Sequence, residues 1–450
     1  MFPSGKQVVI SLTLCILCQL ARAQSDAPRR SSDESLLRGV EYLQESVPDK
    51  AKECLEQALA ENPGNDAAHY YLGYVAAQSN DAAAAVEHFG QAYKMDSGNV
   101  WYAKRYASLC ALTGKTDEAL GLYELLCRKH PYDIEMLFAL TDLYMGSEAY
   151  EKADSLVDRI DILQGESAFT RMIRVDIHRS TGEISAMFDD LDVLFSDPSV
   201  SSATKEQLFR QQYGMGSLRF NQEHIADYDR LISTGLLAHP GDTVVTHLAA
   251  NYYYSTERPD EVVTLYKRYP RDIQLGNLAV FVSQQSGNAA TAMECSRILE
   301  YVCRDDAESL SYVYTARGDL YQSLGKKSKA YSCYDRALRL KPDNLQALNN
   351  YAYYMSCNGR NLKRCEQMAA QVILADSENV TYLDTYAWVL YKLGRLNEAR
   401  SLFKKIMSMG GKESAEVLLH YAEVLDACGD KTLAEAYRHQ AEIRRNEDTK

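Results

Sequence analysis

Apolar, small and polar positions follow one pattern along most of the chain, and the stretch GDLYQSLGKKSKAYSCYDRALRLKPDN, from Gly318 to Asn344, shows it in full. A glycine is followed by an aromatic three residues on, a Gly turn, an alanine, an aromatic four later, another alanine and then Lys-Pro. The small positions recur with a fixed step. Ala51, Ala85, Ala119 and Ala153 stand 34 residues apart, Gly39, Gly73 and Ala107 share that step, and so do Ala58 and Ala92. Three parallel ladders of small residues with one period mark an internal repeat. Runs of strict apolar–polar alternation are few, so the predicted elements are helices rather than strands.

Each copy predicts two antiparallel helices joined by a short turn, as at Thr113-Gly114, Leu324-Gly325 and Leu393-Gly394, because glycine is favoured just past a helix end. Gly or Ala at the crossing lets the helices approach to about 8–10 Å, and the aromatic and aliphatic residues fill the space beside them. Proline at the repeat end, in ENPGN and LKPDN, stops the second helix. About twelve copies follow, beginning near Ser32, Asp66, Val100, Ile134, Ala168, Phe209, Thr243, Ile273, Ser311, Leu345, Val380 and Ala415. The copy from Leu345 is one residue longer in its turn, and the stretch Phe195 to Gln207 reads as an irregular joint.

Tyr314, Gly318, Tyr321, Ala330, Tyr334, Ala337 and Pro342 carry the aromatic, Leu-Gly, aromatic, Ala, Phe, Pro pattern of the tetratricopeptide repeat. Leu72-Gly73, Ala85, Phe89 and Ala92 carry it in a second copy, Ala107, Ala119, Tyr123 and Pro131 in a third, and Tyr386-Ala387, Ala399 and Phe403 in a late one. The chain therefore resembles that family. The resemblance implies an all-α fold, a right-handed superhelical solenoid of stacked antiparallel helix pairs. It divides the chain into an N-terminal block at 32–198, degenerate repeats at 199–310, and a C-terminal block at 311–450 closed by a charged capping helix. The segment from Ala347 to Phe403 is also similar to the C-terminal halves of exported bacterial repeat proteins.

Composition narrows the partners. A net charge of −13 argues against nucleic-acid binding, which requires a basic stripe, and favours basic or amphipathic protein partners. The start, MFPSGKQVVISLTLCILCQLARAQ, joins Lys6 to an apolar run and a small-x-small site ending at Ala23, which reads as a signal peptide over 1–23 cut before Gln24, followed by a linker at 24–31. Leu14 and Leu17 precede Cys15 and Cys18, where a bacterial lipid-attachment signal wants a small residue. No later run is long enough for a membrane span. Periplasmic or outer-membrane-associated placement is the expectation. Nine of the eleven cysteines stay in the mature chain. Cys54, Cys295 and Cys333 share one repeat position, which argues for packing, and Cys357 and Cys365 flank a turn and are the best disulfide candidates.

Chemistry is sparse. The histidines form no His-Glu-x-x-His, no hydrolase elbow or phosphate loop appears, and neither a metal nor a cofactor is expected. YGMGSLRF reads as a helix-crossing feature, and the acids of FDDLDVLFSD as a solvated helix end. The repeats leave no stretch for a separate enzyme domain. Function in this architecture lies on the concave face, lined by first helices. The family's concave offsets would place Tyr312, Asp319, Asn349, Tyr353, Asp384, Trp388, Glu423 and Asp426 there in the C-terminal block, and Tyr70, Tyr74, Trp101, Lys104 and Phe138 in the N-terminal one. Aromatics with carboxylates suit an extended basic peptide, although the same rings could pack between repeats. The Lys-Asn-Arg clamp with which some relatives hold acidic tails is not matched, since Asp319 and Asp384 stand where it would need other residues. Two readings follow: a non-enzymatic protein-binding scaffold of the cell envelope, and a carbohydrate-binding protein whose rings, Trp388 and Tyr353 among them, stack on sugars.

Overall fold

The computed structural model describes residues 27–447. The expected signal peptide, with its cleavage site at Ala23 and Gln24, lies outside the described residues. These residues are all-helical apart from turns, and they form two compact units, one ending at Val200 and the other beginning at Ser201. Helix Ile184–Ser196 ends and helix Ser202–Met215 begins on either side of that division. The degenerate repeats share the second unit with the strongly patterned ones. Residues 27–31, read above as part of a linker, are already helical within Ala27–Gln44.

The first unit stacks five helix pairs, from Ala27–Gln44 with Pro48–Glu61 to Ala168–Thr181 with Ile184–Ser196. In the second unit six regular pairs run from Thr243–Ser255 with Pro259–Arg268 to Ala415–Ala427 with Lys431–Glu447. Ahead of these stand Ser202–Met215, the short Leu218–Glu223 and Ile225–Ala238. First helices begin at Asp66, Val100, Ile134, Ala168, Thr243, Ile273, Leu345, Val380 and Ala415, where the small-residue ladders place them.

Local chemistry explains the starts. The turn after most second helices ends in Asn or Asp, whose side chain accepts the backbone N–H of the new helix: Asn65 from Ala68, Asp133 from Met136, Asn344 from Ala347 and Asn379 from Tyr382; Ser167 and Ser414 do the same for two others. Such caps contribute about 1 kcal/mol each. Pro63 and Pro342 close one helix, but the capping amide or carboxylate opens the next. Within pairs, the turn glycine takes the left-handed conformation, with φ of 78° at Gly114 and 69° at Gly325. The turn after Cys357 uses two such residues, Gly359 and Asn361, which accommodates its extra residue.

The small-residue ladders are the helix crossings. Ala51, Ala85, Ala119, Ala153, Ala330 and Ala399 have no exposed surface. A Cβ on Gly73 would lie 2.9 Å from the Phe89 ring, and one on Gly318 only 2.4 Å from the Tyr334 ring, so these aromatics lie directly on a neighbouring backbone.

Both units also contain one buried polar relay. Ser32 Oγ donates to the carbonyl of Ala58 at 2.8 Å and accepts from Asn65 Nδ2 at 3.0 Å. Ser311 Oγ donates to Ala337 at 2.9 Å and accepts from Asn344 Nδ2 at 2.8 Å. The same Asn caps the next helix, so one residue satisfies three segments. Ser311→Ala leaves the Asn344 amide short of a partner in a closed site and is expected to cost about 2 kcal/mol; the urea midpoint of the variant measures it.

Three readings need correction. Gly216 ends helix Ser202–Met215 at φ −71°, so YGMGSLRF is a helix terminus rather than a crossing. Asp190 in FDDLDVLFSD is buried, not solvated, and accepts from Arg171 Nη1 at 2.7 Å with His178 Nδ1 at 3.0 Å. Cys357 and Cys365 are free thiols, as are the other seven described cysteines; of the three read as packing residues, Cys295 is buried and Cys54 and Cys333 are half-buried.

Candidate functional site

In the second unit, first helices of successive pairs approach one another more closely than second helices do. Tyr353, from helix Leu345–Cys357, reaches across the next pair to Glu416 on helix Ala415–Ala427. Direct contact between alternate pairs requires their first helices to converge, which makes this the inner side of that stretch.

The candidate residues form a polar and aromatic ladder here. Tyr353 Oη donates to Glu416 Oε1 at 2.6 Å and lies 3.2 Å from His420 Nε2. His420 Nδ1 lies 2.9 Å from Asp384 Oδ2. With Tyr353 donating to Glu416, its oxygen is free to accept from Nε2, and Asp384 accepts from Nδ1; all three bonds form when the imidazole carries both hydrogens. Burial pushes the Asp384 carboxyl above its ordinary range, and His420 pulls it back. Burial and the bond to Glu416 push the Tyr353 hydroxyl upward as well. Trp388 stacks on His420 with centroids 4.2 Å apart. Lys392 Nζ lies 4.2 Å over the same indole and 5.0 Å over the Tyr391 ring.

Earlier along the ladder, Asp319 accepts from Tyr334 Oη at 2.5 Å and from Asn350 Nδ2 at 3.0 and 3.1 Å. Burial raises this carboxyl and the two donors oppose the shift. Asn349 Nδ2 donates to Asn350 Oδ1 at 3.2 Å, while its own buried Oδ1 has no donor. Tyr312 is exposed under Lys341, 5.2 Å from the ring centroid. Glu423 is exposed and accepts from Tyr391 Oη at 3.5 Å, and Asp426 pairs with Arg438 at 2.7 Å.

Depth separates these residues. Asn349, Asp384 and Trp388 are at most 8% exposed, so they support the face rather than stand out from it. Offset arithmetic identifies the side of a helix, whereas neighbouring repeats decide how far each position is covered. The indole of Trp388, covered by His420 and Lys392, is no open platform for a sugar. The residues that reach solvent at this face are Tyr312, Glu416 and Glu423.

The N-terminal candidates are more scattered. Tyr70 is buried among Tyr71, Phe89 and Tyr102 and belongs to the core. Tyr74 is half-buried against that core. Lys104 is held by Glu135 at 2.5 Å and Asp133 at 3.5 Å. Trp101 is 57% exposed, and Phe138 meets Phe169 edge-on at 5.2 Å.

Glu416, His420, Tyr391 and Lys392 were absent from the sequence-based selection. His420 follows Asp384 by 36 residues and Tyr353 by 67, separations that no local motif marks. The repeat period itself was the available signal, since it brings residues about one and two periods apart onto adjoining turns.

Among the described residues there is no cluster of three or more metal-ligating side chains, and no helix is long and apolar enough to cross a membrane. Stacked antiparallel helix pairs define a helical-repeat protein. The chain belongs to the tetratricopeptide repeat family: a tetratricopeptide repeat model matches residues 217–446, over half of the sequence, and a second matches 36–100. Tetratricopeptide repeat protein 17 of Mus musculus is 30% identical over 131 residues, covering 28% of this chain and 10% of that protein. The Homo sapiens protein of the same name is 28% identical over 131 residues, 28% of this chain and 11% of its own length. The chain thus spans about a tenth of these relatives. Similar solved structures include a tetratricopeptide repeat protein from Parabacteroides merdae, at 16% identity and TM-score 0.33 over 76% of this chain and 99% of that one. Another is the Cut9–Hcn1 hetero-tetramer of the APC/C, at 13% identity and TM-score 0.40 over 96% of each chain.

Proposed function

We propose that the chain is a non-enzymatic scaffold that holds a basic or amphipathic segment of a partner protein against the first-helix face of its second unit. Tetratricopeptide repeats mediate protein–protein interaction as a family, and the observation that supports this placement is the ladder from Asp319 through Tyr353 to His420. It fixes three carboxylates, Asp319, Asp384 and Glu416, on the first helices of three of the last four pairs, and Glu423 stands exposed about two turns beyond Glu416 on the same helix. Carboxylates held by neighbouring donors keep their positions without the partner, so less ordering accompanies binding. Export to a cell envelope is part of the proposal and rests on the basic, apolar and small-residue order of the first 24 residues.

The test is a cross-linking pull-down from envelope extract with the full chain beside Glu416→Arg, Glu423→Arg. The two changes remove the acceptors of Tyr353 and Tyr391, so a small drop in melting temperature with the helical circular dichroism retained is expected, while partner recovery falls about tenfold, in keeping with the cost of placing like charges across an interface. Raising salt should weaken the parent interaction, because these carboxylates are solvated. Equal recovery by both chains would remove the second unit's face from consideration.

A further inference from the structure

We propose that the Trp388–Tyr391 ring pair is the seat of a partner's lysine or arginine side chain, and that Lys392 is a tethered stand-in occupying it in the free protein. The inference rests on the reading of this face as a peptide site and names the group recognised there.

Lys392 is the last residue of helix Val380–Lys392. Its ammonium lies 4.2 Å over the Trp388 centroid and 5.0 Å over that of Tyr391. It makes no ion pair with a carboxylate among the described residues, although the chain carries 62 acidic side chains to choose from. The two ring faces therefore hold the cation through their quadrupoles. Tyr391 Oη points toward Glu423, 3.5 Å away and exposed; Glu416 stands exposed on the same helix as Glu423. A cation arriving at the rings would meet Glu423 beside Tyr391, with Glu416 about two turns back along the same helix. Lys392 can swing into water on its flexible stem, so the exchange leaves no charge buried.

The opposite chemistry, an acidic tail, would find Glu416 and Glu423 facing it.

The chain has two tryptophans, so Trp101→Phe leaves Trp388 as sole reporter. The probes are a fluorescein-labelled, lysine-rich amphipathic dodecapeptide and the same peptide with glutamate in place of lysine. Binding of the lysine peptide, followed by anisotropy, should change Trp388 emission, and Lys392→Ala should tighten it about two- to fivefold by removing the competing cation–π contact. Glu416→Gln, Glu423→Gln should weaken it, and the glutamate peptide should bind more weakly throughout. Unchanged or weaker binding in Lys392→Ala, while the Gln variants still weaken binding, would overturn the stand-in and leave the peptide site in place. Equal or tighter binding of the glutamate peptide would overturn the assignment of the recognised group. No saturable anisotropy change with either peptide would overturn both this inference and the peptide-site reading.

Discussion

Gly318→Ala lowers the denaturation midpoint of the full chain, whereas Gly121→Ala raises it. In a helix interior alanine is favoured over glycine by about 1 kcal/mol, and at Gly121 nothing lies within 4 Å of the added Cβ, so that gain should appear undiminished. At Gly318 the same atom would lie 2.4 Å from Tyr334 Cε1 and 2.8 Å from Cδ1 and Cζ. The ring has little room to retreat. Tyr334 is fully buried, its hydroxyl is held by Asp319 at 2.5 Å, and Tyr351 and Tyr354 lie beside it with centroids at 5.4 and 6.4 Å. Overpacking of this kind costs about 1–3 kcal/mol, and with the neighbours fixed the upper part of that range outweighs the propensity gain and leaves a net loss of about 1–2 kcal/mol. Guanidinium titrations followed by far-ultraviolet circular dichroism compare both variants with the parent. A midpoint that rises for Gly318→Ala would mean that Tyr334 shifts freely, and the close-approach account of the glycine ladder would fail.

His420→Ala should be the most destabilising single change in the last three repeats. The imidazole joins Tyr353, Asp384 and Trp388 and is itself 7% exposed, with Asp384 at 6%. Removing it leaves a buried carboxylate without its partner and an indole without its stacking neighbour. Leaving a buried polar group without its hydrogen-bond partner costs about 1–3 kcal/mol, and more when it is charged. His420→Leu combined with Asp384→Leu should be milder than His420→Ala alone, because no charge is then left unpaired. Thermal melts of the three chains, analysed as a double-mutant cycle with Asp384→Leu, measure the coupling. Additive losses would show that the two side chains do not act as a pair.

The fold was legible because its determinants are periodic. Ala51, Ala85, Ala119 and Ala153 each mark one crossing, and a crossing admits few residue types, so position and type recur together. The inner face was legible to the level of a side: Tyr353, Asp384 and Trp388 all lie on the first-helix ladder, as their offsets imply. Their depth was not. Trp388 and Asp384 are covered by His420, which belongs to the following repeat and holds no position of the repeat signature. Asp190 went astray for a related reason, since Arg171 and His178 reach it from the paired helix 19 and 12 residues away and nothing local in FDDLDVLFSD announces them. Periodicity encodes backbone register well, but pairwise polar chemistry lies in single departures from the period, which look like noise until the helices are stacked.

The serine–asparagine relay at Ser32/Asn65 and Ser311/Asn344 limits how the chain can change length. The partners are 33 residues apart in both copies, and each asparagine also opens the next helix. An insertion of even one residue within either intervening helix would rotate the residues beyond it by about 100° around that helix and strain both contacts at once. The helices of those two copies are thus closed to insertions and deletions, which leaves the turns as the place where length can change, as in the copy beginning at Leu345. Over evolutionary time, added residues should accumulate in the turns, leaving the helices of these two copies as the fixed gauges of the array.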